Sequence, residues 1–99
     1  MKHYSWDTEK NRRLKAERGV SFEEVVFHIE RGELLDLIEH PNPEKYNGQR
    51  VFIININDYA CLVPFMETER GTFLKTIIPS RKATKEYLRG GARGEDQAG

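Results

Sequence analysis

Apolar residues fall along this chain in two rhythms, and the change from one to the other divides it. Residues 2–6 place Tyr4 and Trp6 on alternate positions, which predicts a short strand. Asp7 then reads as an N-cap. Thr8–Arg18 follows as a helix with Glu9 early and Arg12, Arg13, Lys15 and Arg18 late, an order that suits the helix dipole. Leu14 is its one strong apolar residue, so shallow burial is expected, and Gly19 supplies a left-handed stop. Ser21 and Glu24 have the spacing of a capping box, flanked by Val20 and Val25 as a hydrophobic staple. Phe22, Val25, Val26 and Ile29 recur at helical spacing and predict one buried stripe, ended by Gly32.

Beyond Gly32 the period shortens. Leu34–Ile38 reads as a strand, and His40-Pro41-Asn42-Pro43 breaks regular structure. Asn47-Gly48 marks a turn before Arg50. Val51–Ile56 is β-branched and aromatic, Asn57-Asp58 has the form of a two-residue hairpin turn, and Tyr59–Met66 returns as the partner strand. Pro64 removes one ladder donor and predicts an edge strand or a bulge. Glu69-Arg70-Gly71 is the next turn, Phe73–Ile78 the next strand, and Ala83–Leu88 a short helix after Pro79. The order is β-α-α-β-β-β-β-α. Short turns between the long strands predict an α+β fold: two N-terminal helices packed on a mostly antiparallel meander sheet, with a short C-terminal helix. Residues 1–89 read as a single domain and the Gly-rich stretch 90–99 as a disordered tail.

Composition narrows the class. Ninety-nine residues suffice for one modest core. No apolar run approaches the ~18 residues that span a bilayer, and the N-terminus lacks a secretory signal. The single cysteine, Cys61, suits a reducing cytosol. A small soluble cytoplasmic domain is the expectation, with no membrane partner. Net charge is zero but unevenly spread. Residues 1–22 carry six cations and three acids, residues 23–46 two cations and seven acids, and residues 69–99 seven cations and four acids. Six cations lie between residues 70 and 89 against one acid, Glu86, so an anion is the natural partner of that stretch.

Candidate chemistry is sparse. His3, His28 and His40 are far apart, with no cysteine or acid at ligand spacing, so neither a metal nor a cofactor is expected. His28 reads as a packed or surface residue and Cys61 as a small buried hydrophobe. In an antiparallel meander Arg50, near one strand's start, can approach Glu69 and Arg70 near a neighbour's end. Arginine clamps phosphate through a planar fork, and a paired acid can take a proton from a 2′-hydroxyl. Such a set could cleave RNA without a metal, since cations alone can stabilise a phosphorane. The competing reading is that Glu69 forms an inconsequential surface ion pair.

Several short motifs resemble the BrnT family of bacterial type II toxins across roughly residues 4–88. Trp6-Asp7 with Lys10-Asn11 resembles the family's start, and Gly19-Val20-Ser21-Phe22-Glu23-Glu24 its second-helix entry. Thr68-Glu69-Arg70-Gly71 resembles its turn, and Ile77-Ile78 with Arg81-Lys82-Ala83-Thr84 its closing motif. The chain departs from that pattern at Arg18, where a histidine is common, and at Pro79, where serine is usual. The resemblance implies a RelE-like fold and a toxin that cuts RNA. It also implies a ribbon-helix-helix antitoxin, with operator DNA met only through the toxin–antitoxin complex. Arg50, Glu69, Arg70 and Arg81 are then the candidate catalytic residues, with Glu69 as base, and Lys75, Lys82 and Lys85 the candidate RNA contacts. Two alternatives stay open: a non-catalytic module that docks an antitoxin or DNA within a repressor complex, and an α+β domain that binds an unrelated anion.

Overall fold

A computed structural model describes residues 3–40, 42, 44–45 and 49–89. The expected turn at Asn47-Gly48, the breakers Pro41 and Pro43, and the tail 90–99 lie outside the described residues. The elements in order are β1 (Tyr4–Ser5), α1 (Thr8–Arg18), α2 (Phe22–Glu30), β2 (Leu34–Glu39), β3 (Gln49–Ile56), β4 (Tyr59–Thr68), β5 (Gly71–Leu74), β6 (Ile78–Pro79) and α3 (Arg81–Tyr87). This is the expected α+β architecture, with two N-terminal helices, a mostly antiparallel sheet and a short C-terminal helix.

The helix ends follow from local chemistry. The Asp7 carboxylate accepts from the amides of Glu9 and Lys10, and Gly19 closes α1 at φ +70°. Ser21 and Glu24 form the full capping box. A non-local bond assists it: the Asn11 side-chain oxygen accepts from the Phe22 amide at 2.7 Å, while its amide donates to Glu23 at 2.9 Å. Asn11 thereby ties α1 to the start of α2.

The sheet runs β1-β5-β4-β3-β2, with β6 also on β4. Both residues of the Asn57-Asp58 turn have positive φ, as a two-residue hairpin of matching twist requires. That turn fixes the register from Ile56↔Tyr59 back to Gln49↔Met66. β1 departs from the meander, pairing parallel with β5 through Tyr4↔Thr72 and Ser5↔Phe73.

Three expectations need correction. Phe73–Ile78 is not one strand: β5 stops at Leu74, residues 75–77 arch away, and β6 resumes at Ile78. The Arg18 guanidinium reaches across and donates to the Ile77 carbonyl, holding the arch. Nor is β4 an edge strand, or bulged at Pro64, which faces Val51 in regular register. The Pro64 carbonyl accepts from the Lys75 amide at 2.8 Å, so its ring nitrogen points to the same side, into the break between β5 and β6. The missing donor falls where no strand asks for it. α3 also begins two residues earlier than expected, because Ser80 caps it through the Ala83 amide.

Strand alternation gives the sheet two apolar faces. On one, Phe52, Ile54, Cys61, Val63, Phe65 and Leu74 pack with Leu14, Phe22 and Val25 of α1 and α2. The Phe52 and Phe65 rings stack there with centroids 3.9 Å apart. On the other, Ile53 and Ala60 pack with Ala83 of α3. The helices therefore sandwich the sheet, and α3 is alone on its side among the described residues.

Candidate functional site

Arg50 lies on the α1/α2 face, its guanidinium 5.3 Å from the centre of the Phe65 ring. Its Nη2 is 3.9 Å from Oε2 of Glu67, while Oε1 of Glu67 accepts from the Thr72 hydroxyl at 3.0 Å. Thr72 is buried and holds one carboxylate oxygen, leaving the other turned to Arg50. Tyr4, across the parallel ladder from Thr72, completes the group. Burial, and then the charges of Glu30 and Glu67, push its phenol above the ordinary range, so Tyr4 stays protonated.

The structure thus brings Arg50 to Glu67, not to Glu69. Arg50 faces Phe65, and Glu69 lies four residues further along, about 13 Å at strand rise. Glu69 and Arg70 form the β4–β5 turn, where the Thr68 hydroxyl accepts from the Arg70 amide and donates to the Gly71 carbonyl. Glu67, Glu69 and Arg70 nonetheless share an open cleft of about 530 Å³, whose other wall is His3. His3 is held by its carbonyl, which accepts from the Thr72 amide at 2.8 Å. Gly71 permits that approach: it sits at φ +130°, and a Cβ there would lie 2.4 Å from the His3 oxygen.

The remaining sequence candidates lie elsewhere. Lys75 stands at the arch, exposed, with its ammonium 5.9 Å from the centre of the Phe73 ring. Arg81, Lys82 and Lys85 are exposed on α3, on the opposite face of the sheet from Arg50. Arg81 and Lys85 line a pocket of about 470 Å³ with Tyr59, Thr84 and Arg89. Tyr59 faces Ile56, six residues along β3 from Arg50, or about 20 Å. Arg50 and Arg81 therefore cannot grip one phosphate within a single chain.

His3, Tyr4, Glu67 and Thr72 escaped the sequence reading. A usable signal existed for Glu67: counting back from a two-residue turn at Asn57-Asp58 puts Arg50 opposite Phe65 and Glu67 on its diagonal. For His3 and Tyr4 there was none, because a parallel contact between residues so distant in sequence leaves no local pattern.

Two further groups are structural. His28 is buried, and its Nδ1 meets a Glu33 carboxylate oxygen, bracing the turn after α2. Burial, and to a lesser degree Glu24, push the Cys61 thiol up to about 11. It therefore remains protonated and shielded at neutral pH. Ellman's reagent at pH 8 is expected to leave the folded protein untouched and to titrate one thiol per chain after denaturation; rapid reaction of the folded protein would contradict this.

The chain matches no protein-family model, no curated protein and no solved structure.

Proposed function

We propose that this protein is a BrnT-like toxin of a type II toxin–antitoxin pair, a metal-independent endoribonuclease that arrests growth and is silenced by a ribbon-helix-helix antitoxin. One observation carries the reading beyond the sequence motifs: Glu67, held by Thr72 and facing Arg50, opens on a cleft that also contains His3 and Arg70. Those are the residue types that transesterification of RNA needs. Glu67 takes the proton of a 2′-hydroxyl, and O2′ attacks the adjacent phosphorus. Arg50 and Arg70 neutralise the phosphorane. The P–O5′ bond breaks, and His3 donates a proton to the leaving 5′-oxygen. The products are a 2′,3′-cyclic phosphate and a 5′-hydroxyl end, with no metal required. Glu67 replaces Glu69 as the base in this reading, and Arg81 leaves the reacting phosphate.

The test is incubation of the purified chain with single-stranded RNA in excess EDTA, with product ends read by mass spectrometry. Cyclic phosphate ends are expected. Intact RNA would remove the nuclease reading.

A second reading, the non-catalytic module, draws on the spread of cations over both faces of the sheet, which suits docking an acidic antitoxin segment more than a single reaction centre. Harmless expression of the chain alone, together with salt-sensitive operator binding by its complex, would favour it.

A further inference from the structure

Two cations of α3 and one just past its end form a group of their own. Arg81, Lys85 and Arg89 line the pocket of about 470 Å³ together with Tyr59 and Thr84, and no carboxylate lines it. Arg81 and Lys85 are one turn apart on α3, about 6 Å along its axis, and Arg89 follows just past the helix end, its amide donating to the Thr84 carbonyl at 3.1 Å, so the three form a stripe along the pocket. Asp58 touches the stripe at one end, 3.6 Å from Arg89, and is itself largely exposed.

The platform under the stripe is fixed. The Thr84 hydroxyl donates to the Ser80 carbonyl at 2.7 Å and accepts from the Ala60 amide at 2.8 Å. The Ser80 amide donates to the Ala60 carbonyl at 3.0 Å, and the Tyr87 hydroxyl donates to Asp36 at 2.6 Å. α3 is thereby pinned to β4 and β2. Arg81, Lys85 and Arg89 are all exposed. Tyr59, at the start of β4, lines the same pocket and is an exposed aromatic residue.

We infer that this pocket is a subsite for single-stranded RNA, separate from the Glu67 cleft, in which Arg81, Lys85 and Arg89 take backbone phosphates and Tyr59 stacks a base. An exposed aromatic beside a stripe of cations is the combination that holds unpaired nucleic acid without reading its sequence. An acidic peptide would use the cations but leave the ring without a role. The inference rests on RNA being the ligand of the protein, not on its being cut. α3 lies on the far face of the sheet, and Tyr59 sits about 20 Å along it from Arg50, so a dinucleotide cannot fill both.

The experiment measures binding of a fluorescent 2′-O-methyl RNA of roughly 12 nucleotides, which no 2′-hydroxyl chemistry can cleave, by anisotropy at several salt concentrations. The variant Arg81→Ala/Lys85→Ala/Arg89→Ala is expected to bind at least ~10-fold more weakly, and its log–log salt slope to fall by about 2, as loss of three phosphate contacts on a single strand requires. Tyr59→Ala is expected to weaken binding about 10-fold with the slope unchanged, and Tyr59→Phe to restore it. All four positions are exposed, and thermal melts check that each variant folds. Cleavage of a dinucleotide is expected to be unaffected by the triple substitution. An unchanged affinity and slope in the triple variant would overturn the subsite, whatever happens to cleavage. So would polyglutamate binding as tightly as the RNA with the same losses, which would assign the face to a protein partner. RNA binding that depends on α3, in a chain that cuts nothing, would retain the subsite and remove the nuclease.

Discussion

Replacing Glu67 by glutamine is expected to lower RNA cleavage by roughly 1,000-fold, while Glu69→Gln leaves the rate unchanged within error. The contrast follows from placement. Glu67 has one oxygen held by the Thr72 hydroxyl and the other facing Arg50, so a carboxylate oxygen is fixed beside a guanidinium. Glu69 sits at a turn, about 13 Å along the strand from the residue opposite Arg50. Glutamine keeps the carbonyl that accepts from Thr72 and nearly the same volume, so the fold is preserved while the base is lost. Arg50→Ala is expected to lower the rate by about 100-fold through lost stabilisation of the phosphorane. Rates for all three variants on one RNA, in EDTA, decide the matter. Equal losses for Glu67→Gln and Glu69→Gln would show that the turn, not the ladder, carries the base.

The largest effect on stability is expected from Gly71→Ala. A methyl group there meets the His3 carbonyl oxygen at 2.4 Å and the His3 Cβ at 2.9 Å, and at φ +130° alanine is strained even in open space. The clash is with backbone, which no side-chain rotation relieves. The cost is about 3 kcal/mol, a fall in Tm of about 15 °C for a domain of this size. Gly19→Ala is the control. Its φ of +70° is also unfavourable, but nothing lies within 4 Å, so the cost is about 1 kcal/mol. The two melting curves test this directly, and a Gly71→Ala protein melting within a few degrees of wild type would refute it. Gly71→Ala should also weaken RNA cleavage in the cold, where the protein remains folded, because it loosens β1 and with it His3 and Tyr4.

These expectations depend on features that differ in how far sequence alone discloses them. The Asp7 cap, the Ser21/Glu24 capping box and the Asn57-Asp58 hairpin involve residues within a few positions of one another, so spacing and residue type were sufficient. The division of Phe73–Ile78 was not legible. Its apolar residues read as one continuous strand, and the bond that holds the arch comes from Arg18, fifty-nine residues earlier. Pro64 misled for the same reason: its tolerance depends on a gap made by residues beyond 74. Within the site, charge identified Arg50, Arg70, Arg81 and Lys85 as the residues to follow. Charge carries no information about faces, and the sheet divides that set between its two sides. Glu67 was recoverable by register, whereas His3 and Tyr4 required the β1–β5 pairing.

That pairing has a consequence for synthesis. β1 is made well before its ladder partners Thr72 and Phe73, which follow it by 68 residues. An unfinished polypeptide lacking Thr72 has no amide to donate to the His3 carbonyl and no hydroxyl to steady Glu67. Under the proposed function, a truncated product ending before that point contains Arg50 and Glu67 but no assembled cleft. Synthesis past Phe73 is then the step that arms the protein, and a ribosome that stalls before it releases a harmless fragment.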